Sequence, residues 1–172
     1  MMFLLHSERT ISNIKTILMK IDIVEYQPAH KEIFVSMTKE WLKEYFWIEP
    51  CDERLFEDPA KEYISTGGQI FVAVDKDNQD AVVGVCALVF HPENHSWEMS
   101  KLSVRKEYRR NGIAEILVDH TISYAKGADK LYLDTSKRLE AAVRLYKRKG
   151  FQEIPLTNSH YQRTDTQMVI EL

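Results

Sequence analysis

The sequence is short of cysteine, glycine and long apolar runs. Its two cysteines, Cys51 and Cys86, stand far apart. They make no disulfide framework, and no C-x-x-C or H-E-x-x-H spacing is present, so a reduced, cytoplasmic protein without a metal centre is expected. Cys86 sits in an apolar run and reads as a buried free thiol, whereas Cys51 lies in a polar stretch. No apolar run approaches the ~18 residues of a membrane-spanning helix. A formal net charge of −3 gives no general attraction to nucleic acid. With only six glycines, the chain carries neither the Walker pattern GxxxxGK[ST] nor the dinucleotide fingerprint GxGxxG. Its 172 residues suffice for one well-packed domain and are too few for two comfortable ones.

Residues 1–18 stand apart from the rest. Their apolar start, MMFLL, is broken by His6, Ser7, Glu8 and Arg9 and has no leading positive charge, so it is not expected to act as a signal peptide. Either Met19 is the true start, or Ile11, Ile14, Lys15 and Leu18 mark a short amphipathic helix on the surface. Both readings stay open, and the domain is taken as residues 19–172.

Beyond this extension, periodicity gives the order β α α β β β α β α β β. Residues 20–26 alternate as a strand. Pro28 favours a helix start, and Ile33, Phe34, Met37, Trp41 and Tyr45 form an apolar stripe over 29–46. Pro50 and Asp52 read as a break before a helical stretch at 53–65, interrupted by Pro59. Residues 69–74 and 81–90 form a hairpin around the polar turn 75–80. A strand at 130–134 and a helix at 138–149 follow, then strands at 151–154 and 167–172. A strand–helix–strand unit over 98–134 requires a right-handed parallel crossover, and the flanking hairpins require antiparallel partners. The expected fold is α/β (α+β): a single-domain mixed, mostly antiparallel sheet with helices on both faces.

The most informative stretch is EMSKLSVRKEYRRNGIA, residues 98–114. Met99, Leu102 and Val104 among Ser100, Lys101 and Ser103 suit a strand with two unlike faces. A basic turn follows, and Gly112 opens a helix with the stripe Ile113, Leu117, Val118, Thr121 and Ala125. Unpaired N–H groups at a helix start attract anions, and Gly112 and Ala114 allow close approach to the backbone. On residues alone, this is equally a solvated basic turn, and Lys101 reads as a surface charge. Tyr146, on a stripe with Leu139, Ala142 and Val143, reads as core.

The pattern R-x-x-G-x-A at Arg109, Gly112 and Ala114 resembles the pyrophosphate-binding motif of the GNAT superfamily of acyl-CoA-dependent N-acyltransferases. Glu98–Val104 resembles that family's E-hydrophobic-x-x-L-x-V strand, and Leu145-Tyr146-x-x-x-Gly150-Phe151 its L-Y-x-x-x-G-F signature. The resemblance spans residues 20–172. It implies a GNAT fold with acetyl-CoA as co-substrate. Leu102, Ser103 and Val104 would offer backbone groups to the pantetheine, and Arg109, Arg110, Asn111, Gly112, Ile113 and Ala114 would cradle the pyrophosphate. Tyr146 would be the general acid for the leaving thiolate and Glu98 the base, acting directly or through water. Trp41, Tyr45 and Arg163 become candidate acceptor-site groups, with core packing an equal reading for Trp41 and a surface charge for Arg163. Where many members carry Asn, this chain has Leu139, so a pantetheine contact is lost or supplied by Ser136.

The resemblance therefore implies acetyl transfer to a primary amine by direct attack, with no covalent enzyme intermediate. A small-molecule amine is the first expectation. A peptide or protein amine, or a non-catalytic acyl-CoA-binding module, is the alternative. No metal, nucleic acid or membrane partner is expected, and a homodimer is left open.

Overall fold

The computed structural model describes residues 19–172; both readings of residues 1–18 lie outside the described residues. Seven strands form one sheet in the order β1-β2-β3-β4-β5-β7-β6. They are β1 Ile21–Glu25, β2 Gln69–Asp75, β3 Ala81–His91, β4 Ser96–Val104, β5 Lys130–Thr135, β6 Gln152–Ile154 and β7 Thr166–Glu171. Among the described residues, β4 and β5 are the only parallel strand neighbours, and the other strand pairings are antiparallel. The helices are α1 Lys31–Tyr45, α2 Pro50–Glu57, α3 Pro59–Glu62, α4 Ile113–Ala125 and α5 Glu140–Arg148. Among the described residues, no helix is long and apolar enough to cross a membrane. The mixed sheet and the element order agree with expectation, apart from one additional short helix.

Each face of the sheet buries its own apolar cluster. On one side, Ile113, Leu117 and Val118 of α4 and Leu145 and Tyr146 of α5 pack against Phe71, Met99, Leu131 and Met168. On the other, Phe34, Met37 and Leu42 of α1 and Leu55 and Phe56 of α2 pack against Ile70, Val72 and Val85. Gly84 sets how closely α4 sits. A Cβ there would lie 2.9 Å from Leu117 Cδ1 and 3.1 Å from Ile113 Cγ2, so glycine lets the first turn of α4 press onto the sheet.

Two local readings need correction. Pro50 does not end a segment. It is the first residue of α2, whose start is a capping box between Glu49 and Asp52, and proline suits that position because its missing N–H is an orphan there anyway. Lys101 is not a surface charge: its side chain is 4% exposed and its Nζ bonds Asp52 Oδ1 at 2.8 Å.

The spacing of Met99, Leu102 and Val104 also has a structural cause. All three pack toward α4 and α5, although strict alternation would separate them. Ser100 pairs with Ala87 and Ser103 with Val85, so Lys101 and Leu102 together oppose Cys86. This is a β-bulge, and Lys101 takes the left-handed conformation, φ 54°.

Candidate active site

β4 and β5 part three residues before the bulge. They pair only from Ser96↔Lys130 to Glu98↔Tyr132, so residues 99–104 line one side of an open wedge. Arg105 N–H donates to the Val83 carbonyl at 3.0 Å. That bond flanks the Gly84↔Val104 pair, so Val104 belongs to a non-hydrogen-bonded pair and turns its own N–H and C=O away from β3, into the wedge. Its carbonyl accepts from Arg109 Nε at 3.1 Å.

The basic loop is held by α1. Arg109 forks onto Glu44, with Nη1 to Oε1 and Nη2 to Oε2 both at 2.9 Å. This bond, more than the charge alone, holds the Glu44 carboxyl down at about 2. The Asn111 amide donates to the carbonyls of Tyr108 and Arg109 and shapes the turn. Gly112 is the N-cap of α4 with φ 77° and brings no capping side chain. The first helical bond is made by Ile116 N–H to the Gly112 carbonyl, so the N–H groups of Ile113, Ala114 and Glu115 lack helical partners. A Cβ on Gly112 would meet nothing within 4 Å. Open space therefore faces an uncapped helix start, which is what an anionic group requires.

A groove of about 750 Å³ joins wedge and loop. Leu102, Ser103, Val104, Arg109, Arg110, Gly112, Ile113 and Ala114 all line it, together with Trp41, Tyr45 and Tyr146. Asn111 does not line it. The opposite wall brings three arginines that sequence reasoning missed, Arg138, Arg144 and Arg148. Arg144 and Arg148 lie on α5 and Arg138 just before it. Ser103 Oγ is buried without a hydrogen-bond partner and also borders Glu40, Trp41 and Glu44 of α1.

Past Tyr146, the groove meets a smaller recess of about 70 Å³. Trp41, Leu102, Leu139 and Tyr146 belong to both, and Phe46, Lys101, Asp134, Ser136, Tyr161 and Arg163 are among the other residues lining the recess. Ser136 therefore sits on this side, where its hydroxyl donates to Asp165. The Tyr146 ring packs 5.8 Å from Phe151 between centroids. Its hydroxyl has no partner among the described residues, yet it is not sealed in. Burial, then the Cys86 thiol, pushes this phenol above its ordinary pKa, so it stays protonated.

The recess is walled by a buried ion cluster. Asp52, fully buried, accepts from Lys101 Nζ at 2.8 Å and from Arg163 Nη1 at 2.7 Å and Nη2 at 3.0 Å. Glu49 accepts from Arg163 Nη1 at 2.8 Å and from the Gln162 N–H at 2.9 Å. Burial alone would raise the Asp52 carboxyl, but Arg163 and Lys101 outweigh it and hold it low. Lys101 Nζ and Arg163 Cζ also lie 4.4 and 4.2 Å from the centroid of the Tyr161 ring. Glu49, Cys51 and Asp52 could together ligate a cation by distance, but the ammonium and guanidinium groups already hold both carboxylates.

Glu98 stands where β4 and β5 last pair. It lines neither the groove nor the recess. Its Oε2 accepts from Tyr132 Oη at 3.2 Å and meets His91 Nε2 at 3.0 Å. Its Oε1 has no partner among the described residues and is not sealed from solvent.

The sequence profile of the acetyltransferase (GNAT) family matches residues 29–151. An uncharacterized N-acetyltransferase of Schizosaccharomyces pombe is 30% identical over 151 residues, 80% of this chain and 90% of its own length. N-acetyltransferase 8F1 of Rattus norvegicus is 28% identical over 64% of this chain and 51% of its own. A crystal structure of a GNAT-family acetyltransferase from Staphylococcus aureus superposes with a TM-score of 0.79 at 25% identity, covering 88% of this chain and 99% of that one. A spermidine N-acetyltransferase from Vibrio cholerae, solved with CoA and spermine, shares the fold with a TM-score of 0.69 at 20% identity, over 88% and 95% of the two chains.

Proposed function

Since the chain belongs to the GNAT acetyltransferase family, and is thereby an acyltransferase, we propose that it transfers acetyl from acetyl-CoA to the primary amine of a small molecule by direct attack. The observation that carries this is the Tyr146 hydroxyl, unpartnered and unsealed at the junction of groove and recess.

Acetyl-CoA, when bound, supplies an activated thioester. The uncapped N–H groups of Ile113, Ala114 and Glu115 fit its pyrophosphate, and the arginines of both walls supply opposite charge. Arg109 works mainly by fixing the loop to Glu44 and Val104. The Val104 N–H faces the wedge and would polarise a carbonyl oxygen there. Glu98 takes the amine proton through a water on Oε1, and Tyr146 returns a proton to sulfur. No thiol is needed as nucleophile: burial pushes Cys86 up to about 12, so it is protonated and inert.

A small acceptor is favoured over a polypeptide by the recess. The loop carrying Tyr161 and Arg163 is tied to Glu49 and Asp52 by buried charges, leaving a short, walled space rather than an open channel. The amine named for the Vibrio cholerae relative makes polyamines one class to assay. The test is thiol release from acetyl-CoA with a panel of aromatic, aliphatic and polycationic amines and one lysine peptide. Turnover only with the peptide would refute the small-molecule reading. Acetyl-CoA binding without turnover on any amine would reduce the protein to a binding module.

A further inference from the structure

We infer that His91 is a proton relay, carrying the proton from Glu98 out of the wedge to bulk water; this rests on the base role of Glu98 proposed above. An amine that arrives as an ammonium loses two protons before it is an amide. One ends on the CoA thiol, and the other must leave the protein at every turnover. The open Glu98 oxygen, Oε1, takes the water through which the proton arrives, so a separate exit runs from Oε2, in a side chain that is only 13% exposed.

His91 connects that carboxylate to the surface. Its Nε2 meets Glu98 Oε2 at 3.0 Å and its Nδ1 meets Glu93 Oε1 at 3.2 Å. The Glu93 side chain is 67% exposed. The Tyr132 ring stacks at a tilt 5.7 Å from the imidazole, and its hydroxyl bonds the same Glu98 oxygen. A neutral imidazole accepts at one nitrogen and donates at the other, so a proton can enter at one face and leave from the opposite one. The steps balance. The amine N–H proton passes to the Glu98 carboxylate. The resulting acid protonates His91 Nε2. Nδ1 gives its proton to Glu93 or water, and the starting tautomer returns by exchange with water, which takes the Nε2 proton and supplies one to Nδ1 of the 22% exposed side chain, with no net charge moved. Tyr132 cannot substitute, since burial and the Glu98 charge raise its phenol well above the ordinary value.

The test compares His91→Ala and Glu98→Gln with wild type, using acetyl-CoA and one good acceptor. His91→Ala should lower kcat on the order of tenfold, less than the ~10²-fold or more expected from losing a general base. Acetyl-CoA affinity by calorimetry should not change. Added imidazole should restore most of the His91→Ala rate and none of the Glu98→Gln rate. A His91→Ala enzyme as fast as wild type, beside a slow Glu98→Gln enzyme, overturns the relay and leaves the base role standing. A slow His91→Ala enzyme that imidazole cannot restore also overturns it, because His91 then only positions Glu98. If Glu98→Gln is itself as fast as wild type, the base role falls and the relay falls with it.

Discussion

Replacing Asp52 with Asn removes one charge and keeps the side-chain volume. In the native protein that charge faces two cations, Lys101 and Arg163, whose side chains are 4% and 5% exposed. Glu49 then remains as the single anion beside them, and the Asp52 oxygen that bonds Lys101 becomes a neutral amide group. Removing one partner from a buried ion pair costs about 3–5 kcal/mol, because the other charge is left unpaired. For a chain of this size, the melting temperature should fall by about 6–20 °C. Calorimetric or circular-dichroism melts measure it. A fall of less than about 2 °C would refute the reasoning, since the cluster would then contribute no more than a surface pair. Adding Lys101→Met to Asp52→Asn leaves one anion and one cation, Glu49 and Arg163. The double variant should therefore be less destabilised than the two single losses added together, with a coupling of about 0.5–3 kcal/mol. The pH dependence has a definite sign. The Asp52 carboxyl is held below its unfolded value of roughly 3.9, so its stabilisation is present above that pH and is lost as pH falls through the native value. Asp52→Asn should show a flatter loss of stability in acid than wild type.

Other expectations concern the wedge and its loop. Gly112→Val should weaken acetyl-CoA binding on the order of tenfold or more, because the new side chain is strained at φ 77° and projects into open groove; unchanged calorimetric affinity would remove the phosphate assignment. Tyr146→Phe should lower kcat with little change in acetyl-CoA affinity, toward the low end of the ~10²–10⁴-fold range because a thiolate leaves readily. Unlike the Glu98→Gln defect, the Tyr146→Phe defect should persist at high pH, where more of the amine is already neutral; a full-speed Tyr146→Phe enzyme would make Tyr146 a core residue only. A chain beginning at Met19 should fold and keep acetyl-CoA affinity, which a melt and calorimetry check together. In the folded protein, Cys86 should resist an aromatic disulfide reagent while the partly exposed Cys51 reacts; fast labelling of Cys86 would contradict its burial.

What the sequence made legible was local. The strand, the loop and the helix start lie within residues 98–114, so their meaning survives without knowing what packs on them. The same holds for the apolar stripes of α1, α4 and α5. What stayed hidden were pairs remote in sequence. Arg109 could not be read as a partner of Glu44, nor Arg163 as a partner of Asp52, because nothing in a linear charge pattern joins them. The reading of Lys101 failed for that reason: a lysine beside a serine on a half-polar strand looks solvated until its buried acid is known. Pro50 was a different failure. Proline followed two residues later by Asp is also a helix-start signature, and there the cap was readable but was taken as a break. His91 was missed because a lone histidine at a strand end carries no signal of its own.

The bulge joins these two kinds of information. Lys101 adopts φ 54°, a conformation that costs a residue with a Cβ on the order of 1–3 kcal/mol and persists only where the surroundings impose it. Its surroundings are Asp52 from α2 and, through Asp52, Arg163 from the loop before β7. The ion pair therefore offsets a backbone distortion as well as desolvation. That distortion moves Leu102 back to the face of Met99, shifts the register with β3 before pairing resumes at Ser103, and leaves the Val104 N–H turned into the wedge. The loop that walls the recess and the strand edge proposed to face the thioester thus share one anchor. A change in the recess that shifts Arg163 would be felt at the bulge and, through it, at Leu102 and Val104 on the groove.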